Sequence, residues 1–291
     1  MGRMTTYATR DFGFLQLSGP DASKFLQGYT TCDLAPVTAG SASIGAICNL
    51  KGRMVTSFRV AAHEDSLLLR MHRALVPEII TFLSKYIVFS KAEMHDVSES
   101  WHVVGISEGD PAPAATQAIT PVTAKDDGLL VTIDDTRAEL WTTAPPAAEA
   151  SADAWALFDI EAGLAWISPE TVDEFLPQMF AYDTLGAIDF EKGCYLGQEI
   201  VARMHFRGKP KRALYRATSE DPIGVGALLS EGSRSAGQVV GAAPATAANG
   251  TEADPGSELL IVAPIDTAGR FDAVGTARNT TVTISWSIPK E

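Results

Sequence analysis

The chain is short of cysteine. Cys32, Cys48 and Cys194 are the three in 291 residues. None sits in a Cys-x-x-Cys pair, and their spacings match no zinc or iron–sulfur ligand set. A count this sparse and odd excludes a disulfide framework and fits a reducing compartment. The histidines His63, His72, His95, His102 and His205 show no ligand spacing either. The longest apolar runs, such as Leu259 to Ile265, are far too short to span a bilayer. Met1 to Asp11 carries no apolar signal core, so a cytoplasmic protein is expected. Positive charge is also in deficit. Lys and Arg number 23 against 36 Asp and Glu, a net charge of −13. That argues against general binding to nucleic acid or anionic membrane, which needs broad basic surface. Gly224-Val225-Gly226 lacks the third glycine and the preceding strand of a dinucleotide fingerprint. Serine-hydrolase and phosphate-loop patterns are missing too.

What remains is an ordinary globular composition on a chain long enough for about two domains. Phe12 to Leu17 reads as a strand closed by Ser18-Gly19-Pro20, and Asp21 opens a helix stopped at Gly28. Ser43 to Leu50, Met54 to Ala61 and Ser66 to Met71 read as strands, with a tight turn at Lys51-Gly52. Ala74 to Phe89 has helical spacing at Leu75, Ile79, Phe82 or Leu83, and Tyr86. Strands follow at 92–97 and 101–106. This order predicts an α+β class, antiparallel sheet with helices on one side. Ser107 to Asp127 reads as loop, 129–133 and 138–142 as a strand pair, and Ala144 to Asp153 as a connection. Trp155 to Ala162 is an apolar segment ending at Gly163. From Ala213 onward, short strands at 213–218, 236–242, 259–262, 273–277 and 281–286 alternate with Gly, Pro, Asn and Asp. That predicts a small C-terminal β-barrel-like domain over 209–291, behind an α+β domain over 1–208 with a subdomain insert at roughly 41–100.

One stretch breaks the acidic balance. Between Lys192 and Arg212 lie six bases and a single acid, Glu199. Within it Gly193 and Gly197 flank Cys194, and Gln198 to Phe206 reads as helix. A thiol ahead of a helix start, among cations, favours the thiolate. A lone cysteine is otherwise most often a small buried hydrophobe. Arg203 lies one turn after Glu199, which alone explains an exposed ion pair. Arg207, Lys209 and Lys211 read equally as a solvated basic loop or as a seat for acidic groups.

Lys192-Gly193-Cys194-Tyr195-x-Gly197-Gln198-Glu199-x-Val201-Ala202-Arg203, followed by Phe206-Arg207-Gly208 and Lys211-Arg212, closely resembles the motif of the YgfZ family. These are folate-binding, glycine-cleavage T-protein-like factors linked to iron–sulfur enzymes and tRNA modification. Gly19-Pro20-Asp21, Phe25-Leu26-Gln27-Gly28, Lys51-Gly52-Arg53-Met54, Lys85-Tyr86-x-Val88-Phe89-Ser90-Lys91, Ile160-Glu161-Ala162-Gly163 and Phe175-x-Pro177-Gln178 match in the family's order. The resemblance covers most of 11–216. It implies a folate-binding body of two subdomains and a barrel-like domain, arranged as a ring around a channel.

The resemblance also implies roles. Cys194 is the functional cysteine, and tetrahydrofolate or a derivative is the cofactor. The pterin's paired donor edge suits a carboxylate, and the Glu-Ala-Gly position gives that role to Glu161. Trp155 and Phe12 supply aromatic faces, with core packing the plain alternative for both. Lys192, Gly193, Tyr195, Gly197, Gln198, Glu199, Arg203, Lys51 and Arg53 belong to the motif or line the channel. No metal ligands are assigned. The related aminomethyltransferases carry a catalytic acid after the Gly turn, where this chain has Thr56-Ser57. The expected function is therefore a folate-dependent accessory factor for iron–sulfur assembly or repair. Its partners would be iron–sulfur client proteins or assembly machinery, with an indirect link to tRNA and a monomeric chain. A folate-dependent one-carbon transferase or demethylase is the alternative.

Overall fold

In the computed structural model, residues 4–108, 118–208, 210–245, 256–265, 267, 270–274 and 280–287 are described. Lys209, most of the low-complexity stretch after Pro244 and the C-terminal half of the strand expected at 273–277 lie outside them. The elements in chain order are β1 (Met4–Ala8), β2 (Phe12–Ser18), α1 (Ala22–Gln27), β3 (Ser41–Cys48), β4 (Met54–His63), β5 (Ser66–His72), α2 (Val76–Ile87), β6 (Glu93–Asp96), β7 (His102–Glu108), β8 (Ile119–Lys125), β9 (Gly128–Thr132), β10 (Arg137–Thr142), α3 (Ala152–Glu161) and α4 (Gln198–Arg207). Then come β11 (Arg212–Ser219), β12 (Leu228–Glu231), β13 (Arg234–Pro244), β14 (Ser257–Pro264), β15 (Arg270–Ala273) and β16 (Thr281–Ser287).

Strands β1 to β10 form one antiparallel sheet in the order β1-β7-β10-β9-β8-β3-β4-β5-β2-β6. Its two halves join where β8 pairs with β3. The half holding β3 to β5 also takes in β2, which pairs with both β5 and β6, so it begins at Phe12. The sheet folds back on itself. Phe14 of β2 meets Trp141 of β10 edge to face at 5.2 Å, and Ala61, Leu68, Leu129 and Val131 fill the same core. Leu15, Leu17, Leu67 and Leu69 alternate onto the opposite face, as a strand's period of two requires. There Val76, Ile79 and Leu83 of α2 cover them. β4 reads as a nearly unbroken buried run because both of its faces are covered.

Several elements differ from the expectation: β1 and β12 are strands that the sequence does not single out, and β15 spans Arg270–Ala273 where a strand is expected at 273–277. Residues 119–125 form β8, not loop. Pro121 and the charged end mask a strand whose inward residues are Thr120 and Val122. The apolar segment before Gly163 is helix α3, capped by the Ser151 hydroxyl, which accepts from the Ala154 N–H at 3.3 Å.

β11 to β16 close into a barrel in the order β11-β14-β13-β12-β15-β16. The barrel has its own core around Val239, Leu259, Ile261 and Phe271. Leu214, Val240, Leu260 and Val262 instead join the core of the body, next to Leu157 and Ile160 of α3. The molecule is thus α+β: a large antiparallel sheet, few helices and a closed six-stranded barrel.

Candidate functional site

The cysteine motif is folded by contacts between segments far apart in sequence. Lys192 points its ammonium into a cage of oxygens. It donates to the carbonyls of Gln27 at 2.9 Å, Thr30 at 2.8 Å and Cys32 at 2.6 Å. Burial lowers its pKa, against the pull of Cys32, Asp33 and Asp189. The Asp189 carboxylate accepts from the Glu191 and Lys192 N–H groups, and the Leu196 N–H donates to the Gly28 carbonyl. Residues 189–196 are therefore laced onto the turn that follows α1.

On the other side, the Lys51-Gly52 turn presses against the start of α4. Gly52 has φ +71° and Gly197 φ +83°. A side chain at Gly52 would strike Ile200, and one at Gly197 would strike the Asn49 carbonyl. Both positions need glycine for backbone angle and for room. Gln198 opens α4, and the Gln178 amide donates to the Val201 carbonyl at 2.8 Å, tying the Phe175-x-Pro177-Gln178 segment to the helix. Gly193 is exposed, with open space where a side chain would stand.

The outcome for the thiols is clear-cut. Cys32 and Cys48 are buried, and burial pushes both thiols up. Cys194 is exposed. Two cations of the motif are engaged elsewhere: Lys192 in its cage, and Arg203 with Glu199 at 2.8 Å on an exposed helix face. Tyr195 is buried beneath the thiol loop, and its hydroxyl has no partner among the described residues. Lys51 is exposed, and Arg53 donates to the Asp173 carbonyl.

A second feature lies between body and barrel. A cavity of about 660 Å³ is walled by Phe12, Trp155, Asp159, Trp166 and, from the barrel, Val240 and Ala242. Phe12 and Trp166 meet edge to face at 6.5 Å. The Arg70 guanidinium packs on both rings, 4.0 and 4.1 Å from their centres. Trp155 is 2% exposed, and its indole N–H is buried with no acceptor among the described residues. Asp159 accepts from the Trp166 indole at 3.0 Å and from Arg137 at 3.3 Å. Burial raises its pKa, against the lowering effect of Arg137. Glu161 ends α3, half-buried and outside this lining. The Glu258 carboxyl is pushed up mainly by burial, with Glu161's charge adding to it against Arg216. The structure thus brings Phe12 and Trp155 together and adds Asp159 and Trp166, which the sequence reading missed. Asp159 was legible only as the residue one helical turn after Trp155, and only once 152–161 is read as helix.

Behind the aromatic wall lies a buried charged cluster. Arg70 pairs with Glu139 at 2.9 Å, and Arg137 with Asp134 at 2.6 Å. Arg59 is wholly buried, and two of its nitrogens lack partners among the described residues. Burial lowers its pKa to about 10, against the attraction of Glu139. Thr56 and Ser57 are fully buried. The Ser57 hydroxyl accepts the Ile167 N–H at 2.7 Å, so the pair serves to brace the cavity wall.

Folded sheet, closed barrel and the cavity between them define a class. The chain has the fold of the aminomethyltransferase T of the glycine cleavage system. The Bartonella henselae crystal structure superposes with a TM-score of 0.69 at 12% identity, over 97% of this chain and 85% of that one. No protein-family model matches the chain. It is 32% identical over 229 residues to the tRNA-modifying protein YgfZ of Photobacterium profundum, covering 72% of this chain and 68% of that protein. With the protein of the same name from Klebsiella pneumoniae, identity is 34% over 233 residues, 73% of this chain and 71% of the relative. The chain belongs to the YgfZ family.

Proposed function

We propose that this chain is a tetrahydrofolate-binding accessory factor for assembly or repair of iron–sulfur clusters in client enzymes, acting through Cys194. The observation that carries the folate half is the cavity itself. Its aromatic faces suit a flat pterin. The Asp159 carboxylate suits the pterin's paired N–H donors, and Trp155, whose buried indole N–H has no acceptor among the described residues, belongs to the same lining. A buried donor without a partner costs about 1–3 kcal/mol, which a ligand acceptor would recover. When bound, tetrahydrofolate supplies a carrier of one-carbon units. The residues here bind and orient it and exclude water.

The cysteine half rests on exposure. A single thiolate falls short of the roughly four ligands that hold a cluster. Cys194 therefore suits a transient bond to sulfur, metal or another thiol. One-carbon transfer is the weaker reading, since Thr56 and Ser57 are buried where a carboxylate would be needed, and neither can take up a proton at neutral pH. The relatives named tRNA-modifying support clients that act on tRNA. With a charge of −13, contact with the RNA itself is assigned to the client.

Calorimetric titration with tetrahydrofolate tests the pocket. Trp155→Phe, which keeps an aromatic ring but removes the N–H, and Asp159→Asn should each weaken binding about tenfold or more, equivalent to about 1.4 kcal/mol. Glu161→Ala run beside them decides which carboxylate takes the pterin edge. Wild-type affinity in all three would rule out this cavity. Cys194→Ser should bind tetrahydrofolate normally and lose client activity.

A further inference from the structure

A groove of about 410 Å³ lies against the motif segment, separate from the cavity above. Its walls include Leu50 and Lys51 of the Gly52 turn, Phe82, Lys85 and Tyr86 of α2, and Leu196, with Asn49, Arg53 and Asp173 completing the lining. Leu50 is 76% exposed, and Phe89, one turn beyond Lys85 and Tyr86, is 97% exposed. The Lys85 ammonium rides over the Phe82 and Tyr86 rings at 4.6 and 5.0 Å. Among the described residues neither Lys51 nor Lys85 pairs with a carboxylate. Arg53 is engaged with Asp173 and Glu174, and the Asp173 carboxylate accepts from Asn49 at 2.8 Å. Leu196 stands two residues after the exposed thiol, so groove wall and sulfur-bearing residue are within about 7 Å along the chain.

We propose that this groove docks an acidic, leucine-bearing segment of a client protein and presents it to Cys194, a proposal that rests on the accessory-factor reading above. Two ammonium groups with no carboxylate partner among the described residues, beside an exposed leucine and two half-buried rings, fit carboxylates flanking an aliphatic side chain. The chain as a whole carries −13 and disfavours acidic partners, so the local cations mark one landing place and steer the encounter to it. A second copy of this chain brings the same unfavourable charge. Docking raises the effective concentration of a client sulfur at Cys194 without any new contact at the thiol.

The test uses the full chain and a short peptide of glutamates around one leucine, ending in a thiopyridyl-activated cysteine. Its control has glutamine for glutamate. The Cys194 thiolate attacks the peptide's sulfur, the mixed disulfide forms and thiopyridine leaves, so the released chromophore reads the rate. Cys32 and Cys48 are buried and stay silent. At low salt the acidic peptide should react about tenfold faster than its control, since effective concentration scales the rate directly. That ratio should fall towards one in Lys51→Glu/Lys85→Glu, and in part in Leu50→Ser. Equal rates in wild type, or a preference that survives the charge reversal, would overturn the proposal. So would loss of the preference on adding a polyglutamylated but not a monoglutamylated folate, which assigns the groove to the cofactor tail. Concentration-dependent dimerisation abolished by Lys85→Glu would assign it to a second copy. Affinity for the monoglutamyl form of tetrahydrofolate, measured separately, tests the cavity and does not depend on these outcomes.

Discussion

Lys192 and Cys194 stand two residues apart in one motif and do opposite things. Lys192 is turned inward onto three carbonyls and fixes the loop, while Cys194 is turned outward. Both were legible as motif residues. Their division of labour was not, because nothing local in the sequence says that an ammonium will find the oxygens of Gln27, Thr30 and Cys32. The buried charges behave the same way. Arg70 and Glu139 lie in strands that each alternate plausibly, and only the folding of the sheet brings them to 2.9 Å. Burial pushes Glu139 up, but Arg70 and then Arg59 outweigh it and hold its carboxyl below the ordinary range. Asp134 is likewise held low, with Arg137 outweighing burial. Depressed carboxyls contribute stability that is present above their unfolded pKa and lost as pH falls through the folded one. Urea unfolding should therefore show stability falling steeply below about pH 4, the ordinary carboxylate value. Glu139→Gln should flatten that acid limb and cost about 3–5 kcal/mol at pH 7, since it strands Arg70 in the interior. A mutant as stable as wild type at pH 7 would show that the pair does not hold the sheet halves together.

At the scale of elements, the sequence reveals those whose partners lie on one side. α2 has a single buried stripe of Val76, Ile79 and Leu83, and its spacing is plain. α3 was read only as an apolar segment because it packs between β1 and the barrel strands β13 and β14. Trp155, Leu157, Asp159 and Ile160 are all buried, so no polar face sets off a helical period. The overlooked signal was Ser151 with Asp153 in the first turn. α3 also explains Gly105. A methyl group there would run into the Trp155 indole, and the ring is held by Tyr7 at 5.8 Å and Phe158 at 5.9 Å. Gly105→Ala should cost about 1–3 kcal/mol as an overpacked core does, and should weaken tetrahydrofolate binding by moving the indole. Normal affinity and stability together would mean that Trp155 is not fixed by this strand.

At the scale of the whole molecule, alternation announced the barrel and concealed how it is joined. Its strands carry apolar residues on both faces, and sequence alone does not say which face closes the barrel and which meets the body. Leu214, Val240, Leu260 and Val262 answer this by packing into the body's core beside α3. The interface is made of the same kind of contact as either interior, and the cavity wall draws on both units, Trp155 and Asp159 from one and Val240 and Ala242 from the other. A body and barrel so joined should unfold in one calorimetric transition. Tetrahydrofolate at a hundredfold excess over its Kd should then stabilise the whole chain by about 2.7 kcal/mol. Hydrogen exchange should slow together in α3, β13 and β14 if the ligand spans the seam between them as proposed. Two separable transitions, with only the body's shifted by the ligand, would mean that the barrel forms no part of the pocket and that Val240 and Ala242 are bystanders.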